Sequence, residues 1–71
     1  MKTETAKTIV VKDRRTKAYL CQDNQWSASV LVARLFETPY QALHCCVVQE
    51  MENADIMFRF ENDREVRFLR C

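Results

Sequence analysis

His44, Cys45 and Cys46 stand side by side, and an imidazole beside two thiols is the arrangement in this chain closest to recognisable chemistry. It suggests a metal centre or a nucleophilic pair. Structural zinc needs side chains that converge on one ion, usually as CxxC or CxxH pairs. Neighbouring residues on a helix diverge by about 100°, so Cys45 and Cys46 do not share an ion. Cys21 and Cys71 are isolated in sequence and complete no knuckle. The same divergence separates Cys45 from His44, whereas a thiol nucleophile needs its base within hydrogen-bond reach. The spacing predicts no metal site and no catalytic cysteine: Cys46 packs as a small hydrophobe, with His44 and Cys45 near the surface. The carboxylate pairs Glu50/Glu52 and Glu61/Glu65 fall at a helix end and on outward strand positions, where they read as solvated surface.

The chain contains no glycine. Glycine lets backbone approach phosphate closely and adopt positive φ without strain. Its absence removes the phosphate-cradling loop, the dinucleotide fingerprint and the nucleophile elbow in their usual forms. With a single histidine for proton transfer near neutral pH, the residues argue for a non-enzymatic protein with no cofactor.

Two surfaces remain as candidates. Lys12, Arg14, Arg15 and Lys17 surround a turn close in sequence to Tyr19 and Trp26. A cationic loop beside aromatic platforms suits single-stranded nucleic acid, charge holding phosphate and rings stacking on bases. Against this, eleven basic residues face ten acidic ones and the isoelectric point is near 7.7, so no overall field favours nucleic acid. The second candidate is the outer face of the last two strands, where Met57, Arg59, Arg67 and Leu69 give the mixture that interfaces enrich.

The elements that must position these residues are legible in part. Thr8–Lys12 is β-branched and reads as a strand. After the turn Asp13–Lys17, Ala18–Cys21 reads as its hairpin partner, with Lys12 opposite Ala18, Val10 opposite Leu20 and Val11 opposite Tyr19. Asp23 and Asn24 supply the next turn, because Asp and Asn tolerate the left-handed region best. Residues 27–36 fit either a helical turn capped at Ser27–Ser29 or a short strand over Val32–Phe36. Thr38-Pro39-Tyr40-Gln41 is a capping box with proline at the first helical position. The helix should run from Pro39 to about Met51, with an apolar stripe of Tyr40, Leu43, Val47 and Met51 broadened by Ala42 and Cys46, and stop at Asn53. Period-two patterning then gives strands around Ile56–Phe60 and Val66–Leu69. A loop at Asn62–Arg64 sets Phe60 against Val66, Phe58 against Phe68, Arg59 against Arg67 and Glu61 against Glu65.

The sum is an α+β domain, a small antiparallel sheet of ββ(β)αββ order with one helix on one face. Residues 1–6 read as a polar, disordered tail and 7–71 as a single domain. The expected core is Val10, Leu20, Trp26, Phe36, Leu43, Val47, Phe58, Phe60 and Phe68. No apolar run has the length of a signal peptide or membrane span, which suggests a soluble, cytoplasmic protein with reduced thiols.

The spacing Tyr19-Leu20, Trp26, Ala33-Arg34-Leu35-Phe36, Thr38, Ala42 resembles a pattern in small proteins of bacteria and their phages, "YL…W…A..F.t…A". Those proteins often carry glycine in the first turns, where this chain has Arg15-Thr16 and Asn24-Gln25. The resemblance covers about a third of the chain at packing positions, and implies an α+β fold without an activity or ligand residue. At this size stability is marginal, and the whole suggests a protein–protein interaction module, a homodimer or an accessory to a partner. Weak single-stranded nucleic-acid binding through 12–17 is the alternative.

Overall fold

A computed structural model describes residues 8–61 and 63–70. The expected tail at 1–6 lies outside them. Five strands form one antiparallel sheet: β1 (Thr8–Asp13), β2 (Tyr19–Leu20), β3 (Trp26–Ser27), β4 (Ala54–Arg59) and β5 (Glu65–Arg70), in the order β3-β2-β1-β4-β5. The single helix α1 (Pro39–Val48) lies over β1 and β4. Between them sit Val11, Leu20, Phe36, Ala42, Cys46, Ala54 and Ile56, with Ile9, Leu43, Cys45 and Met51 closing the margins. The fold is α+β.

The first turn is built by Asp13. Its Oδ1 accepts from the N–H groups of Arg15 and Thr16, its carbonyl accepts from Lys17, and Lys17 turns the chain at φ 65°. That geometry puts Lys12 opposite Tyr19 rather than Ala18. The one-residue slip exchanges faces: Leu20 joins Val11 in the core, and Tyr19 goes with Lys12 to the far side of the sheet.

The β1–β2 hairpin then divides around a third segment. The Arg34 N–H donates to the Leu20 carbonyl and the Phe36 N–H to the Ile9 carbonyl, so residues 33–36 sit between the diverging strands, Ala33 opposite Cys21 and Phe36 opposite Ile9. Of the two readings of 27–36 the helical turn is realised; no strand forms over Val32–Phe36, which makes only these two isolated bridges, and the third strand is Trp26–Ser27 instead. Ser29 Oγ accepts from the Leu31 N–H and caps a 3₁₀ turn at Val30–Val32, after which the chain extends.

Thr38 caps α1 by accepting from the Gln41 N–H at 3.1 Å, and the Gln41 side chain returns to the Glu37 N–H rather than to that of Thr38. The helix stops earlier than expected. Glu50, at φ 53°, is its left-handed terminator instead of Asn53, with the Glu50 N–H on the Val47 carbonyl and the Met51 N–H on the Cys46 carbonyl. This is a Schellman ending, which brings Met51 back onto the core. The buried stripe is also a row away from expectation. Ala42 and Cys46 meet the sheet, where small side chains let helix and strands approach, while Tyr40 and Val47 are exposed. Trp26 and Phe68 are exposed too, Leu43, Phe58 and Phe60 are half-buried, and only Val10, Leu20 and Phe36 of the expected core are fully buried.

In the last hairpin the Phe60 N–H donates to the Arg64 carbonyl, the Asp63 N–H to the Phe60 carbonyl, and Asp63 stands at φ 63°. The odd-numbered loop is retained but begins one residue earlier. Arg59 faces Glu65, Phe58 faces Val66 and Met57 faces Arg67, so the expected like-charge pairs do not form. A bulge follows: Ile56 faces Leu69, with Phe68 as the extra residue.

Candidate interaction surface

The helix covers one face of the sheet only. The alternation that points Val11 and Ile56 toward α1 points Val10, Lys12, Asp55, Met57, Arg59, Glu65 and Arg67 to the other side. That side is closed by its own charges. Glu65 accepts from Lys12 Nζ at 2.9 Å, from Arg59 Nε at 3.0 Å and from the Tyr19 hydroxyl. Strands lie about 4.8 Å apart, and β5 is separated from β1 by β4, so these long side chains reach across β4 to meet. Lys12 also lies over the Tyr19 ring. Beneath these side chains Val10 is fully buried.

Burial pushes the Glu65 carboxyl up, but the hydrogen bonds from Tyr19 and Lys12 and the charges of Lys12 and Arg59 outweigh it and hold the group below its ordinary value. The hydrogen bond to Glu65 raises Lys12, and burial followed by the same carboxylate raises Tyr19. Every shift reinforces the state each group already holds at neutral pH. The three hydrogen bonds on one carboxylate tie β1, β2, β4 and β5 together as a clasp.

A second clasp lies at the other end of β4. Asp55 is only 7 % exposed, and Arg14 holds it at 2.7 Å while also donating to the carbonyls of Ala54 and Glu52. Arg67 stands 4.0 Å from the same carboxylate. The basic hairpin is thereby split. Lys12 and Arg14 are tied into the fold, Arg15 and Lys17 remain exposed, and Tyr19 is buried rather than a free stacking platform. The expected interface residues are separated as well. Met57, Arg59 and Arg67 lie on the clasped face, whereas the bulge turns Leu69 to the helix side.

The helix side carries the uncovered apolar surface. Because α1 spans β1 and β4, the β5 side chains Val66, Phe68 and Leu69 stay exposed beside it, with Phe68 stacked on Phe58 at 4.8 Å. On the opposite flank, α1 and residues 34–36 border an open groove of about 630 Å³. Its walls include Leu35, Tyr40, His44 and Val48, and Arg34 covers the Phe36 ring at its floor. Leu31, 92 % exposed, stands apart on the preceding turn. The sequence pattern assigned Tyr40 to the apolar stripe of the helix and did not single out Leu35 or Val48 as surface. The available signal was the row Tyr40, His44, Val48, four residues apart and opposite Ala42 and Cys46.

Among the described residues no group of three or more His, Cys, Asp or Glu is placed to hold a metal ion, and no helix is long and apolar enough to cross a membrane. No family model, curated protein or solved structure matches the chain.

Proposed function

We propose that this chain is a small non-enzymatic protein–protein interaction module, self-associating or accessory to a partner, that binds through the helix side of its sheet. One observation carries the reading: the ionic groups are used to close the far face, while large aliphatic and aromatic side chains stand in water on the near one. Tyr40 is 77 % exposed and Val47 64 %, and grouped apolar exposure of this kind marks surfaces that are covered by another molecule. The single-stranded nucleic-acid alternative draws less support, since of Lys12, Arg14, Arg15 and Lys17 two are already paired with carboxylates.

A photo-crosslinking residue at Leu35 or Val48 tests the proposal in cells of the source organism. Protein adducts are expected from those positions and not from Glu61 on the polar hairpin tip. Equal or absent labelling at all three would refute it. Titration with a labelled oligonucleotide at low salt tests the alternative, with no saturable binding expected.

A further inference from the structure

We propose that two copies of this chain join edge to edge through β5, antiparallel, about a two-fold axis passing between Arg67 and Phe68; this rests on the interaction-module reading and names its partner. The sheet has two edges. β3 offers two residues, whereas β5 offers six without a proline to interrupt the outward row of N–H and C=O groups. Such a row is a template for another strand, and antiparallel pairing with an identical strand is the simplest closed arrangement.

The side chains select the register. On β5, Glu65, Arg67 and Arg70 belong to the clasped face, since they oppose Arg59, Met57 and Asp55, and Val66 and Leu69 belong to the helix side, opposing Phe58 and Ile56. Opposed residues of an antiparallel pair must share a face. Pairing Val66 with the second copy's Leu69 satisfies that rule at four of the six β5 residues and sets Glu65 opposite Arg70; the exception, Arg67 beside Phe68, falls at the bulge itself, where the alternation is interrupted in both copies. Moving either way by one residue sets Val66 against a charged Arg70 or the carboxylate of Glu65 against Leu69. The bulge is what makes the match possible, because without the extra residue Val66 and Leu69 would lie on opposite faces. Charge along the hairpin agrees. Along β5 itself Glu65 stands at one end and Arg67 and Arg70 toward the other, so antiparallel copies bring each Glu65 beside the basic end of the second strand. The exposed Val66, Phe68 and Leu69 of both copies then form one continuous apolar strip.

Sedimentation equilibrium over a wide concentration range tests the assembly, and disulfide trapping tests the register. Wild type is expected to reach twice the monomer mass. Val66→Lys, which puts a charge into the strip, is expected to weaken the dimer at least tenfold while its circular dichroism stays native. In a Cys45→Ser, Cys71→Ser background, chains carrying Val66→Cys and chains carrying Leu69→Cys should form a mixed disulfide on oxidation when combined, and neither should cross-link alone. A mass that stays monomeric to the solubility limit overturns the inference. So does a dimer that Val66→Lys leaves intact and the cysteine pair does not trap, or a crosslink from Val66 to a different protein. A monomer that still gives adducts from Leu35 and Val48 would remove the β5 contact and leave the interaction-module reading in place; a monomer that labels nothing would end both.

Discussion

Replacing Glu65 by glutamine should weaken this domain more than any other single exchange of one polar atom. The carboxylate receives Lys12, Arg59 and the Tyr19 hydroxyl together, and its side chain is 15 % exposed. Glutamine keeps one acceptor oxygen but turns an amide donor toward groups that are themselves donors. At least one charge-assisted bond is lost, each worth roughly 1.5–3 kcal/mol, and a half-buried cation loses its counter-charge. A loss of about 2–3 kcal/mol is expected, which for a domain of this length corresponds to roughly 10–20 °C in Tm. Urea denaturation at pH 7, followed through the single Trp26, measures it. The pH dependence supplies a second reading. Because folding lowers the Glu65 pKa, its contribution is fully present above the unfolded value near 4.5 and disappears as pH falls through the lower folded value. Lys12 and Tyr19 are raised, so their share is present below about 10 and lost as pH climbs through their folded values. Glu65→Gln should therefore flatten the acid limb of the stability profile. A loss below about 0.5 kcal/mol, the worth of an ordinary surface pair, together with an unchanged acid limb, would refute the clasp.

Arg14→Ala leaves the Asp55 carboxylate buried with only the distant Arg67 for company, and should cost about 2–4 kcal/mol, read from the same urea curves. Glu50→Gly and Lys17→Gly relieve left-handed backbone at φ 53° and 65°; each should gain about 0.5–1 kcal/mol, strain removed less the added freedom of the unfolded chain, seen as a higher calorimetric Tm. Thr38→Ala removes the acceptor for the Gln41 N–H and should cost about 1 kcal/mol, with amide exchange accelerating first at Tyr40 and Gln41.

The architecture was legible because its strongest signals are local. Thr38-Pro39 begins α1 where the capping rule puts it, Asp23 and Asn24 stand in the left-handed region in place of glycine, and alternation identified both C-terminal strands. What was illegible depends on single residues of register. Asp13 tightens the first turn through its own side chain, and that slip decides whether Tyr19 faces the core or Lys12. Phe68 bulges from β5, and that slip decides the side on which Leu69 emerges. Period-two reasoning also treated the face carrying Asp55 and Glu65 as solvent. It is closed by Arg14 from one direction and by Lys12 and Arg59 from the other, partners up to 53 residues away in sequence, which no local pattern discloses. The helix stripe misled for a related reason: Tyr40 and Val47 are larger than Ala42 and Cys46, but proximity of backbones, not side-chain size, chose the inward row.

The segment 33–36 has a kinetic meaning. A hairpin that could zip by itself along its full length would mature early and independently; here the opening strands can register fully at only one position before a stretch from beyond both of them must arrive to complete the ladder. The amino-terminal half is therefore expected to complete its ladder only once the chain beyond it has docked, with α1 and its leading segment in the folding nucleus. Lengthening the connection between Trp26 and Ala33 should slow folding while leaving the unfolding rate nearly untouched.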